Sequence, residues 1–131
     1  MANTDLIGDL IVRIKNAASS GKETVSFPHS NLSVAVAEAL ERTGYLKLLP
    51  KKGKKFHKTL EATVIYNGEI PKFQDARRIS KPSKRVYTKT KDIRPVRSGF
   101  GHLFISTPKG ILTDKEARKE KVGGEALFQI W

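Results

Sequence analysis

Two short polar stretches carry the residue types that could do chemistry in this chain. Ser106-Thr107-Pro108-Lys109-Gly110 sets two hydroxyls, a cation and a glycine in one turn. Gly123-Gly124-Glu125 sets a carboxylate behind two residues without side chains. A hydroxyl both donates and accepts, which suits sugar hydroxyls and base edges better than a point charge does. Gly110 and Gly123-Gly124 let backbone approach a groove closely. Glu125 stands out, because a carboxylate repels phosphate. Either it bonds local backbone amides, or it accepts from a base amino group or a ribose hydroxyl.

Catalysis is poorly served by the same residues. Ser106 has no adjacent base and no glycine elbow. His29, His57 and His102 are far apart, and none has a partner at helical metal-ligand spacing. Gly99-Phe100-Gly101 lacks the third glycine of a dinucleotide loop, and no P-loop pattern occurs. Asp5 and Asp9 could share a helix face, but the helix dipole explains them equally well. The expectation is a binding protein and not an enzyme, with no metal and no cofactor.

Charge says what is bound. The 131 residues carry 25 Lys and Arg against 13 Asp and Glu, a net charge of +12. So basic a chain repels itself until a polyanion neutralises it, and nucleic acid is the first candidate. From Arg77 to Arg97 there are nine Lys or Arg against one acid, Asp92. Arg78, Lys81, Lys84, Arg85 and Tyr87 form its dense part, with Ser83 in the Lys81–Lys84 turn. Arginine bridges phosphates or stacks on bases, and tyrosine stacks on an unpaired base or sits in a core. Lys52, Lys54 and Lys55 offer a second contact to a phosphate backbone. There are no cysteines, which excludes disulfides and thiolate chemistry. No secretory signal opens the chain, and no apolar run approaches the ~20 residues that span a bilayer. A cytoplasmic setting is expected, with an organelle stroma or matrix left open.

The elements that must position these residues follow from periodicity. Leu6, Ile7, Leu10, Ile11 and Ile14 make one stripe of a helix over 4–20, capped by Asn3 or Thr4 and stopped by Gly21. A strand over 23–27 follows, then a helix over 31–43 capped by Ser30. Its expected stripe is Leu32, Ala35, Val36, Ala39 and Leu40. Strands are expected over 45–49 and 56–66. This α-β-α-β-β unit should lay two helices on a three-stranded sheet. Asn67-Gly68 with Pro71 is the strongest break, so the expected division is 1–67 and 68–131. The second unit reads as mostly β, with strands over 73–79, at 103–105 and over 125–131. Thr113-Asp114-Lys115-Glu116 is a capping box for a short helix to about Lys121, which Gly123-Gly124 can end. The fold class is α+β, two small α/β subdomains packed together.

At these motifs the chain resembles a known family. Four runs carry the likeness: Asp5 to Ala17, Arg78 to Tyr87, Ile105 to Arg118 and Val122 to Glu125. Together, and in this order, they resemble the bacterial-type family of the eighth protein of the small ribosomal subunit, over essentially the whole chain. The resemblance implies a primary binder of 16S rRNA that recognises an irregular central-domain helix and helps assemble the platform. It implies neighbouring small-subunit proteins as partners and, in some bacteria, repression of its own operon mRNA. The RNA contact implied lies in the C-terminal subdomain, through Ser106, Thr107, Lys109, Gly110, Gly123, Gly124 and Glu125, with Tyr87 and the Lys81–Arg85 turn nearby. Pro108 stands where the family usually has serine, which removes a hydroxyl and a backbone donor. Phe128 occupies a position often filled by cysteine.

Overall fold

The computed structural model describes residues 5–49, 59–96 and 99–131. Lys52, Lys54 and Lys55 therefore lie outside the described residues. The chain divides into two compact units, residues 1–73 and 74–131. The division expected at 67/68 falls within a small hairpin of the first unit.

In the first unit, helix α1 (Leu6–Ser19) starts two residues later than expected. Its N-cap is Asp5, whose carboxylate accepts from the Gly8 amide at 3.1 Å. An ionised cap satisfies an orphan amide and complements the helix dipole at once; the expected caps Asn3 and Thr4 lie outside the described residues. Ile7, Leu10, Ile11, Ile14, Ala17 and Ala18 are its buried face. Gly21, at φ +70, turns the chain into β1 (Thr24–Pro28).

Helix α2 (Asn31–Arg42) carries a capping box between Ser30 and Ser33. The buried stripe is Ser33, Val36, Ala37, Ala39 and Leu40, which departs from the expected one. Leu32 is exposed, because Ser33 takes the inward position of the first turn. The Ser33 hydroxyl donates to the Pro28 carbonyl at 2.8 Å and accepts from the Ser30 amide at 2.9 Å. Those bonds make its burial affordable.

Strands β2 (Leu46–Leu48) and β3 (Thr59–Val64) complete an antiparallel sheet in the order β1-β3-β2. Val25 pairs with Ala62, Phe27 with Leu60 and Leu46 with Val64. All six side chains are buried. Burying each large aliphatic or aromatic one stabilises the fold by roughly 1.5–3 kcal/mol. The expected α-β-α-β-β order is observed. It is extended by a hairpin of β4 (Tyr66–Asn67) and β5 (Ile70–Pro71), turned by Gly68 at φ +68.

The second unit is built on its last strand. β10 (Gly124–Ile130) pairs with β6 (Ala76–Arg78) and β7 (Tyr87–Thr88) along one edge, and with β8 (His102–Thr107) along the other. β9 (Gly110–Thr113) pairs outside β8. Ile111 and Leu112 are thus in a strand, although the sequence marks them only as a lead into the helix. Two apolar residues are too few for a periodic signal, and it is pairing with Ser106 and Ile105 that makes them a strand. The strand expected over 73–79 shortens to three residues.

Helix α3 (Asp114–Glu120) has the expected box, with Thr113 and Glu116 each bonding the other's amide. Its stop differs from expectation. Lys121 takes the left-handed conformation at φ +59, and neither Gly123 nor Gly124 is the cap. Ala117 packs with Ile93, Val96, Leu103, Ile105 and Ala126 in one buried cluster. Phe104 and Phe128 are also buried and stack with centroids 5.0 Å apart, so Phe128 is a packing residue.

Candidate nucleic-acid interface

The start of β10 is where the candidate residues converge. Glu125 lies opposite Tyr87 on one neighbouring strand and opposite Ser106 on the other. Directly opposed residues in antiparallel strands present their side chains on the same face. Tyr87, Glu125 and Ser106 therefore form one row across three strands. Tyr87 is 70 % exposed, which excludes the core role open to it from sequence. Ser106 is half-buried.

Gly123 and Gly124 make that convergence possible by lacking side chains. A Cβ on Gly124 would overlap the Ser106 carbonyl, and one on Gly123 would overlap the Thr88 carbonyl. They are required for strand approach and not for helix termination. Their closeness lets β7 and β8 both pair with Glu125 of β10.

Glu125 has found a local partner set. Its Oε2 accepts from the Ser80 hydroxyl and from Arg85 Nη1, the latter at 3.0 Å. The two accounts from sequence were backbone amides and RNA; the observed partners are two side chains. Burial raises its pKa. The Ser80 bond, the Arg85 bond and charge, and the Arg78 charge together outweigh that, and hold the carboxyl below its ordinary 4.5. The acid is ionised at neutral pH and offsets part of the cationic field it sits in.

The two flanking turns are both tight. Lys81 and Lys84 exchange backbone bonds of 3.0 Å, so Pro82 and Ser83 form the tip, and Lys81, Ser83, Lys84 and Arg85 are exposed. In the other turn Thr107 pairs with Gly110. The Thr107 hydroxyl accepts from the Lys109 amide at 3.0 Å and donates to the Gly110 carbonyl at 2.8 Å. Pro108 therefore leaves this turn closed, since the hydroxyl of Thr107 supplies its bonds and proline presets φ at the tip. Gly110 needs its φ of +108. Lys109 is held by Glu120 at 3.1 Å in an exposed ion pair.

One residue in this cluster carries no signal in the sequence. Ser80 is buried, accepts from the Val86 amide at 3.1 Å and donates to Glu125. It is separated from Glu125 by 45 positions, and only the fold brings them together. Arg78 sits on β6 opposite Phe128. Among the described residues there is no cluster of three or more His, Asp or Glu able to hold a metal ion, and no helix long and apolar enough to cross a membrane.

Known sequences resemble this chain over essentially its whole length. The family described as Ribosomal protein S8 matches residues 5–131. The small ribosomal subunit protein uS8 of Mycoplasmopsis agalactiae is 46% identical over 128 residues, covering 98% of each chain. That of Chloroflexus aurantiacus is 44% identical over 134 residues, and that of Synechococcus sp. 38% over 133, each covering 100% of both chains.

Proposed function

Since this chain belongs to the ribosomal protein S8 family, we propose that it binds one irregular helix in the central domain of 16S rRNA and helps assemble the platform. It is a structural protein of the small ribosomal subunit and not an enzyme. The ribosome of a bacterial cytoplasm is the setting its relatives suggest. Neighbouring small-subunit proteins are its further partners, and its own operon mRNA is a second target where that message carries a similar helix.

The row Tyr87–Glu125–Ser106 supports this reading best. It joins an exposed aromatic, a hydroxyl and two closely packed strands at one sheet end. Such a surface fits an irregular groove with an unstacked base, which is where RNA is read in a sequence-dependent way. Thr107, Lys109 and Gly110 supply the adjoining turn, and Gly123 and Gly124 let the flanking strands close on the row. Lys81, Ser83, Lys84, Arg85 and Arg78 add phosphate attraction, as do Lys52, Lys54 and Lys55 by their charge.

Footprinting the purified protein on small-subunit rRNA tests the reading. Protection confined to one central-domain helix is the expected result. Diffuse protection, equal on unrelated hairpins at moderate salt, would replace it with sequence-blind binding driven by the net charge of +12.

A further inference from the structure

The excursion of chain between β6 and β7 is pinned at its base. The Ser80 amide donates to the Ala126 carbonyl at 3.0 Å, and the Ala126 amide donates to the Val86 carbonyl at 2.9 Å. Residues 81–85 thus leave β10 and return to it at one residue. A second closure lies above that one. The Ser80 hydroxyl accepts from the Val86 amide, the first after the excursion, and donates to Glu125. Arg85, the last residue of the excursion, reaches the same carboxylate oxygen.

We propose that Ser80 is a positioning residue of the RNA-reading edge, locking the 81–85 excursion to Glu125 so that Arg85 and Tyr87 are preset for the RNA. The inference rests on the reading of that edge as the RNA contact. Four observations carry it. Ser80 is only 3% exposed, so it cannot itself touch RNA. Its single hydroxyl serves as donor and acceptor at once, which alanine cannot replace. It ties the two ends of the excursion to a residue of β10 45 positions away. The oxygen of Glu125 that it bonds is already shared with Arg85, so that part of the carboxylate is engaged within the protein before RNA arrives. Fixing Lys81, Lys84 and Arg85 in advance removes ordering entropy that binding would otherwise oppose.

The test is a cycle of Ser80→Ala, Glu125→Gln and the double variant. Affinity is measured for the protected central-domain helix and for a scrambled duplex of equal length. Ser80→Ala should weaken the specific complex about tenfold and leave the scrambled one within about twofold. The double variant should cost no more than the worse single, because both act through one network. Multiplying losses would overturn the proposal, as would a Ser80→Ala protein that discriminates as well as wild type. Should wild type itself fail to discriminate, the RNA reading fails instead, so the two failures are distinct. If Ser80→Ala does not fold, hydrogen exchange on the wild-type protein decides. The Val86 amide should be protected equally in free and RNA-bound protein; protection that appears only on binding would overturn a preset excursion.

Discussion

The two units of this protein use the same few residue types for opposite purposes. In the first, glycine acts through its backbone freedom: Gly21 and Gly44 follow helices at φ +70 and +87. In the second, Gly110 needs the same freedom at φ +108, but Gly123 and Gly124 act through the missing Cβ, where strands crowd together. Acids differ in the same way. Asp9 pairs with Arg13 at 2.9 Å on an exposed helix face, both side chains close to half exposed. Asp114 is fully buried, accepting from the Leu103 amide at 3.3 Å and lying 3.5 Å from Arg118. Glu125 is half-buried, between Ser80 and Arg85. The first unit is held chiefly by apolar packing, with Ser33 its one buried polar side chain among the described residues. The second places polar groups where removing one leaves another unsatisfied. The proposed binding edge needs fixed polar groups, and burying their supports is how they are fixed.

Substitutions can break or sharpen that contrast. Gly124→Ala should cost the most, roughly 3 kcal/mol, because the Cβ meets a backbone carbonyl that cannot rotate away. Thermal unfolding and RNA binding should both register it; a silent substitution would refute crowding as the role of this glycine. Asp114→Ala should destabilise by about 2–3 kcal/mol, leaving the Leu103 amide without its acceptor. Hydrogen exchange should then accelerate in β8 and β10 and stay unchanged in β1 and β3.

Ser106→Ala should leave the fold intact and weaken the specific RNA complex by about 1–3 kcal/mol. A titration comparing cognate with scrambled RNA separates that from a general loss.

Acid reads out Glu125. Its folded pKa lies below the ordinary 4.5, so its ionised form stabilises the fold above that pH, and the contribution disappears as pH falls through the folded value. Denaturant melts from pH 7 downward should show Glu125→Gln lacking that portion of the acid loss. If wild type and variant lose stability in parallel, the carboxylate is not held as described. Smallest of all is Asp9→Ala, expected to cost about 0.3–0.5 kcal/mol as an exposed pair one helical turn apart.

The periodic part of this protein was legible in its residues. The stripe of α1, the alternation of β1 and β3 and the capping box of α3 each follow from spacing alone. The failures are as instructive. The first helix is capped by Asp5, an ionised side chain that bonds Gly8 and meets the dipole, and not by the expected Asn3 or Thr4. The buried stripe of α2 shifted because Ser33 is satisfied by Pro28 and Ser30, and a polar residue does not announce such burial. Strand β9 has no period of its own and exists through β8.

Ser106, Glu125 and Tyr87 stood out in the sequence by type, but their adjacency did not. By itself the sequence determined the periodic helices and strands, the basic charge and the two polar turns, since these depend on residues near one another in the chain. Tertiary structure alone decided that Ser106, Glu125 and Tyr87 share a row, that Ser80 joins them, and that Gly123-Gly124 serve closeness in place of a cap. Those outcomes depend on which strands pair and in what register, and register is set by contacts between residues far apart in the chain.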